Sequence, residues 1–301
     1  MNVLVLAACL LAQTPAPLDR AREVEAREGE PPAQPGSAER GSALDYLHRQ
    51  YRDDAAKYLF HADAERKQPL MLVEKPVLKW ANDDDWSGDV FVWTHAGRPA
   101  VIGCMLSGPS GEANRNAYHE FHLLAEQPIA PAGLLTRRNW EPEGGLARTP
   151  LPDAPPPANS AAGRLVQMRQ ISRDFTAHMQ ADGMWELRLL PQPLFRFESD
   201  KIFAAAADKT DAIDGALFAW VWTKGTDPEV LLLVECRRTE GGPAWQYAPV
   251  RFSNRTVWLT RGDKEVWRVE SHREPAGQST SLIYTTAYAR TFPREAVTKE
   301  P

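Results

Sequence analysis

From Asp214 to Cys236 the chain reads DGALFAWVWTKGTDPEVLLLVEC, two apolar runs (Ala216 to Trp222, Val230 to Val234) around a polar connection, Thr223 to Glu229. Gly225 and Pro228 preset turn geometry in that connection, so the stretch predicts a β-hairpin. Its apolar character is nearly continuous rather than alternating, which predicts strands covered on both faces. Other strand-like runs are Leu70 to Trp80, Asp89 to Thr94, Pro99 to Leu106, Ala117 to Ala125, Met184 to Phe197, Ala244 to Phe252 and Leu282 to Ala289. Two stretches carry helical periodicity instead. Ser42 to Ala64 places Leu47, Tyr51, Ala55, Tyr58, Leu59 and Ala62 on one stripe, and Arg164 to Ala181 does the same with Leu165, Met168, Ile171, Phe175 and Met179.

The chain also resembles itself. LMLVEKPVLKW, ending at Trp80, lies on LRLLPQPLFRF, ending at Phe197, so that Pro76 meets Pro193 and Lys79 meets Arg196. The same spacing sets Tyr58 on Phe175 and His61 on His178, and a slightly longer one sets Gly88 on Gly215, Phe91 on Phe218, Trp93 on Trp220 and Tyr118 on Trp245. An internal duplication follows. The predicted fold class is α+β: two related units, each a helix packed on an antiparallel four-stranded sheet of cystatin-like or cone-like form, with an extra C-terminal hairpin from Thr256 to Val269. The predicted organisation is a signal peptide at 1–17, a disordered tether at 18–41, a first unit at 42–141, a Pro/Ala-rich linker at 142–163, a second unit at 164–292 and a polar tail at 293–301.

GDVFVWTHAGRPAVI and YHEFHLL, followed by WELRLLPQPLFRF and DGALFAWVWTKGTDPEVLLL, resemble a group of uncharacterised exported bacterial proteins. The resemblance covers most of the chain after the tether. It implies export and no particular activity. The start, MNVLVLAACLLAQTPAP, also resembles a secretory signal peptide, although its first residues hold no Lys or Arg. Leu6-Ala7-Ala8-Cys9 alternatively matches a lipobox, which would anchor the chain through Cys9. Either way the protein is expected to be periplasmic or secreted.

Composition narrows the function classes. The apolar run at the start, Val3 to Ala12, is about ten residues where a membrane-spanning helix needs about 20, so no transmembrane segment is expected in the mature chain. A net charge of −5 from dispersed acidic and basic residues offers no phosphate-tracking stripe, so no nucleic-acid partner is expected. Beyond Cys9, Cys104 and Cys236 each stand near a strand end, either as a disulfide or as two buried thiols.

His119-Glu120-Phe121-His122 is the most reactive-looking cluster. On a strand, His119 and His122 point to opposite faces, and the spacing is not that of a zinc-protease helix. A metal site would need His95 or another distant ligand to converge with His119 or His122. Asp83, Asp85, Ser87 and Gly88 follow the first half of a calcium loop, but Thr94 stands where a bidentate Glu is required, which favours a plain acidic turn.

Ten tryptophans are the other distinctive feature, and they either fill sheet cores or line a groove. The reading these residues support is a non-enzymatic binding or interaction module that needs no cofactor. Its surface is formed by Trp93, Tyr118, Trp220 and Trp245 with Arg98, His119 and Glu120, and its partner is a small molecule, a glycan or a protein. A metal-assisted hydrolase centred on His119, Glu120 and His122, and a purely structural envelope component, are the alternatives.

Overall fold

The computed structural model describes residues 37–132, 140–198, 211–223, 225–272 and 282–298. All lie in the unit Ser37–Pro301. The expected signal peptide and nearly all of the expected tether lie outside the described residues.

Among the described residues the protein is mostly β, with 51% strand and 13% helix, in three larger antiparallel sheets, a two-stranded pair and three helices. This overturns the expectation of an α+β fold of helix-on-four-strand units with a cystatin-like or cone-like shape. The first sheet joins β2 (Met71–Leu72), β3 (Leu78–Ala81), β4 (Ser87–His95), β5 (Arg98–Ser110), β6 (Asn114–Leu123) and β18 (Tyr284–Pro293). The second joins β8 (Thr149–Pro150), β11 (Arg188–Leu189), β12 (Phe195–Glu198), β13 (Ala212–Val221), β14 (Pro228–Thr239) and β15 (Gly242–Arg251). A third orders β10 (Met184–Glu186), β9 (Phe175–Gln180), β16 (Thr256–Arg261) and β17 (Lys264–Val269). The expected C-terminal hairpin is therefore no appendage, since β16 pairs with β9. Nor are the two halves separate, because β18 returns to pair with β6.

Two sheets share one core. Val90, Val92, Ile102 and Cys104 of the first pack with Leu217, Ala219, Leu231 and Leu233 of the second. The alternate residues, Phe91 and Trp93, face α1 (Ser37–Ala56) with Leu47, Tyr51 and Ala55. On the outer side of the second sheet, Phe218, Trp220, Leu232 and Val234 meet Met168 and Ile171 of α2 (Ala161–Arg173) and Phe175, Ala177 and Met179 of β9. Both faces of β13 and β14 are thus apolar, which is why their sequence shows no alternation.

Both expected helices run too long. The first ends at Ala56, and Leu59–His61 (β1) is a strand pairing with β7 (Ala130–Ala132). The second is capped by Ser160, whose hydroxyl accepts the Gly163 N–H, and it ends at Arg173. Phe175 to Gln180 continues as β9. An i, i+4 pair such as Phe175 and Met179 is also two alternate steps of a strand, so the apolar spacing fits both forms. The expected linker is integrated too, with β8 paired to β15 and Leu146 and Leu151 in the core. At the expected polar tail, α3 (Glu295–Thr298) buries Val297 against the α1 core.

The ladders of the two large sheets match in register. Leu72 stands opposite Trp93 as Leu189 does opposite Trp220. Trp80 stands opposite Gly88 as Phe197 does opposite Gly215. Each glycine makes room for the opposing ring, since a Cβ would lie 2.8 Å from the Trp80 ring at Gly88 and 2.3 Å from the Phe197 ring at Gly215. Cys104 and Cys236 are free and buried in different cores, so they form no disulfide.

Candidate functional site

A cleft of about 460 Å³ opens where the ends of the two large sheets meet. One wall belongs to the first sheet. Trp86 leaves an acidic turn in which Asn82 Oδ1 accepts the Trp86 N–H at 2.9 Å. Asp85 holds that turn to the body, accepting from Arg115 at 2.8 Å and Arg294 at 2.7 Å. Trp86 lies on Gly108, where a Cβ would come within 2.1 Å of the indole, and stacks on Tyr118 with ring centres 6.0 Å apart. Next to Tyr118 along the cleft wall, Glu120 accepts the Tyr284 hydroxyl at 2.5 Å.

The second wall is the connection from β13 to β14 together with the one from β15 to β16. Trp222 N–H donates to the Asp227 carbonyl at 3.3 Å, closing the loop that presents Asp227 and Glu229. Arg255 covers the Trp222 ring at 4.8 Å. Behind Tyr284 sits Arg251, 5.2 Å from the ring centre, with its guanidinium donating to the carbonyls of Arg255 and Glu270.

The electrostatics of this cleft are unbalanced. Asp84, Glu120, Asp227 and Glu229 line it, and Arg255 is the one lysine or arginine among its described lining residues. Burial pushes the Glu120 carboxyl up to about 8, with the Glu229 charge adding to it and the Tyr284 hydrogen bond opposing it. Asp227 is pushed well above the carboxylate range by burial and by Glu229 and Glu120. Glu229 is raised by burial, against a hydrogen bond from Ser253 and the charge of Arg255. Glu120 is only 9% exposed. Carboxyls whose pKa values are raised by burial and by one another lose their protons more readily once a positive group arrives.

Most of the expected surface lies elsewhere. Trp93, Trp220 and Trp245 are buried, Trp93 against α1 and the other two in the core beneath α2 and the third sheet. They fill cores on inner faces and form no groove. Trp245 spends its one donor on the Pro155 carbonyl at 3.0 Å. Of the expected contacts only Tyr118 and Glu120 line this cleft.

The histidines do not converge. His119 faces α1, with Nδ1 2.6 Å from the Tyr58 hydroxyl and Nε2 3.4 Å from Asp54, and burial lowers its pKa. His122 points the other way, its Nδ1 donating to the Leu123 carbonyl at 2.7 Å, and burial takes it down to about 4. His95 lines a second cleft together with Arg98. Among the described residues no three His, Cys, Asp or Glu side chains form a group able to hold a metal, so the expected His95, His119 and His122 site is not assembled.

Asp227, Glu229, Arg255 and Tyr284 escaped the sequence reading. The signal present was an Asp-Pro-Glu placed just before an apolar strand, where the carboxylates read as turn residues in water.

Fold and site together define a layered antiparallel β-sandwich with an acidic, aromatic-walled cleft at one end of its inter-sheet seam. No known protein family, curated protein or solved structure matches the chain.

Proposed function

We propose that the protein binds a small organic cation in the cleft walled by Trp86, Tyr118 and Trp222 and floored by Glu120, Asp227 and Glu229. One observation carries this reading: three carboxyls with raised pKa values, Glu120 and Glu229 buried and Asp227 half-buried, open on one aromatic cavity, with Arg255 the one guanidinium among its described lining residues. Aromatic faces attract cations, and an ammonium group relieves the repulsion among the carboxyls as they ionise. A purely structural envelope role gives no reason to keep three such groups at the mouth of a cavity. The leader-like start supports export, and no described helix is long and apolar enough to cross a membrane. The matching ladder registers support an internal duplication of the strand framework.

Calorimetric titration of the protein with benzyltrimethylammonium, spermidine and an uncharged sugar tests the reading. The cations bind, more tightly at pH 9 than at pH 6, and the sugar does not. Glu229→Gln weakens cation binding by about 10- to 100-fold, the usual worth of a charge-assisted contact. Cation binding that survives Glu229→Gln and Glu120→Gln unchanged places the site elsewhere, and no binding by any cation ends the proposal.

A further inference from the structure

Strand β14 has Glu229 at the acidic cleft and, near its other end, Glu235 and Arg237 beside a second cleft of about 370 Å³. Three arginines from separate segments converge there. Arg98 begins β5, Arg148 precedes β8, and Arg237 lies on β14. Behind them, Glu235 is 1% exposed and accepts from Arg98 at 2.7 Å and Arg148 at 2.8 Å, with Arg237 at 3.4 Å. In front of them stands Glu126. One of its oxygens, Oε1, meets all three guanidiniums: Arg148 at 3.4 Å, Arg98 at 3.7 Å and Arg237 in a close hydrogen bond.

The two glutamates differ in kind. Burial alone would raise both carboxyls, and the arginines override it in each case, so both stay charged. Glu235 is sealed in the core, whereas the Glu126 side chain is 38% exposed and reaches the arginines from the solvent side. It follows β6 in a connection whose neighbours Leu124, Pro128 and Ile129, with Leu70 and Pro99, give the cleft an apolar wall. Among the described residues, Arg98 Nε is buried without a hydrogen-bond partner, so one donor of the cluster is unused.

We infer that this cleft is a site for a small aliphatic carboxylate, whose head group takes the place that the Glu126 carboxylate occupies among Arg98, Arg148 and Arg237. Charge selects a single carboxylate. Glu235 and Glu126 pair with the three arginines and Asp211 lines the same cleft, so with Glu126 withdrawn three guanidiniums face two carboxylates and leave one net positive charge, which a monoanion meets and a phosphate dianion exceeds. The apolar wall selects a ligand with a hydrocarbon tail. Glu126 acts as an internal competitor, and the apparent affinity of the site falls by the fraction of time it is filled from within. This site is independent of the cation cleft.

The experiment titrates hexanoate, inorganic phosphate and hexylammonium into the whole chain, as wild type, Glu126→Ala, Glu126→Gln and Arg98→Gln, followed by calorimetry and by amide chemical shifts at Ala125 and Arg98. Hexanoate binds the wild type, and removing the competitor in either Glu126 variant tightens it by about tenfold, as expected if Glu126 fills the site about nine-tenths of the time. Arg98→Gln weakens it. Hexanoate affinity unchanged in both Glu126 variants shows that Glu126 only balances buried charge and overturns the inference. So does phosphate binding as tightly as hexanoate, or no hexanoate binding in any variant that keeps a folded spectrum. Because hexylammonium addresses only the acidic cleft, either site can fail without the other.

Discussion

Glu120→Gln is the perturbation on which the electrostatic reading of the acidic cleft stands or falls. Gln keeps the shape of the side chain and can still accept the Tyr284 hydroxyl, while Arg251 keeps its backbone carbonyl partners. The folded protein holds the Glu120 proton up to about pH 8, whereas the unfolded chain releases it near the ordinary value of 4.5. Between those values the native state binds the extra proton, so the Glu120 contribution lowers stability as pH rises through that window. At about 1.4 kcal/mol per pKa unit the whole window is worth about 5 kcal/mol, an upper figure because water entering the cleft reduces it. The variant escapes this penalty. It should match the wild type at pH 4.5 and gain on it steadily up to pH 8. Thermal unfolding reads the gain at about 2 °C per kcal/mol for a domain of this size, so the melting temperatures separate by as much as about 10 °C at pH 8.5. A gap that stays flat from pH 4.5 to 8.5, or a variant less stable at pH 8.5, would refute the claim that Glu120 is held protonated by burial.

Three further predictions concern the frame around the two clefts. Gly215→Ala drives a Cβ into the Phe197 ring and should cost about 1–3 kcal/mol in urea unfolding, with Phe197→Leu restoring part of the loss; an unchanged midpoint contradicts the packing argument. Asp214 is fully buried and accepts from Arg164 at 2.8 Å and Arg196 at 3.1 Å, so Asp214→Asn leaves two guanidiniums undercompensated and should cost about 3 kcal/mol or more by the same measurement, a loss below about 1 kcal/mol counting against it. Cys104 and Cys236 have thiol pKa values raised by burial, so alkylation mapped by mass spectrometry should leave both unmodified until denaturant is added; rapid labelling of either in the native protein contradicts their placement.

Strands of the large sheets were legible because burial on both faces writes long apolar runs, as in Ala216 to Trp222 and Val230 to Val234. Helix ends were not, because Ile171, Phe175 and Met179 satisfy helical spacing up to the point where the chain turns into β9. The arrangement of layers was lost with them. Nothing local in Thr256 to Val269 says that it pairs with β9, or in Tyr284 to Pro293 that it pairs with β6, since both pairings reach across large sequence separations. The site was half visible. Tyr118 and Glu120 stood out beside histidines, whereas Asp227 and Glu229 become unusual only when the β13–β14 connection folds against β18 and loses water. Large aromatics misled in the opposite direction, because Trp93, Trp220 and Trp245 serve the cores that their size suits best.

The two clefts handle buried charge in opposite ways, and the contrast is what gives the acidic one functional weight. At the arginine end Glu126 and Glu235 meet guanidiniums, and Glu235 stays ionised because Arg98 and Arg148 reach it directly. At the acidic end the nearest guanidiniums are engaged elsewhere as well, Arg255 over Trp222 and Arg251 with backbone carbonyls, and the carboxyl pKa values are raised, that of Glu120 up to about 8. The arginine network is charge-balanced from within, so a carboxylate ligand there has to displace Glu126. An uncompensated network lowers stability at neutral and alkaline pH, and glutamine or asparagine at the same positions would remove that cost without changing the packing. Local inconsistency of this kind, confined to the mouth of a cavity with aromatic walls, is the cost that the proposed cation site would place on the fold, with its ligand supplying the missing positive charge.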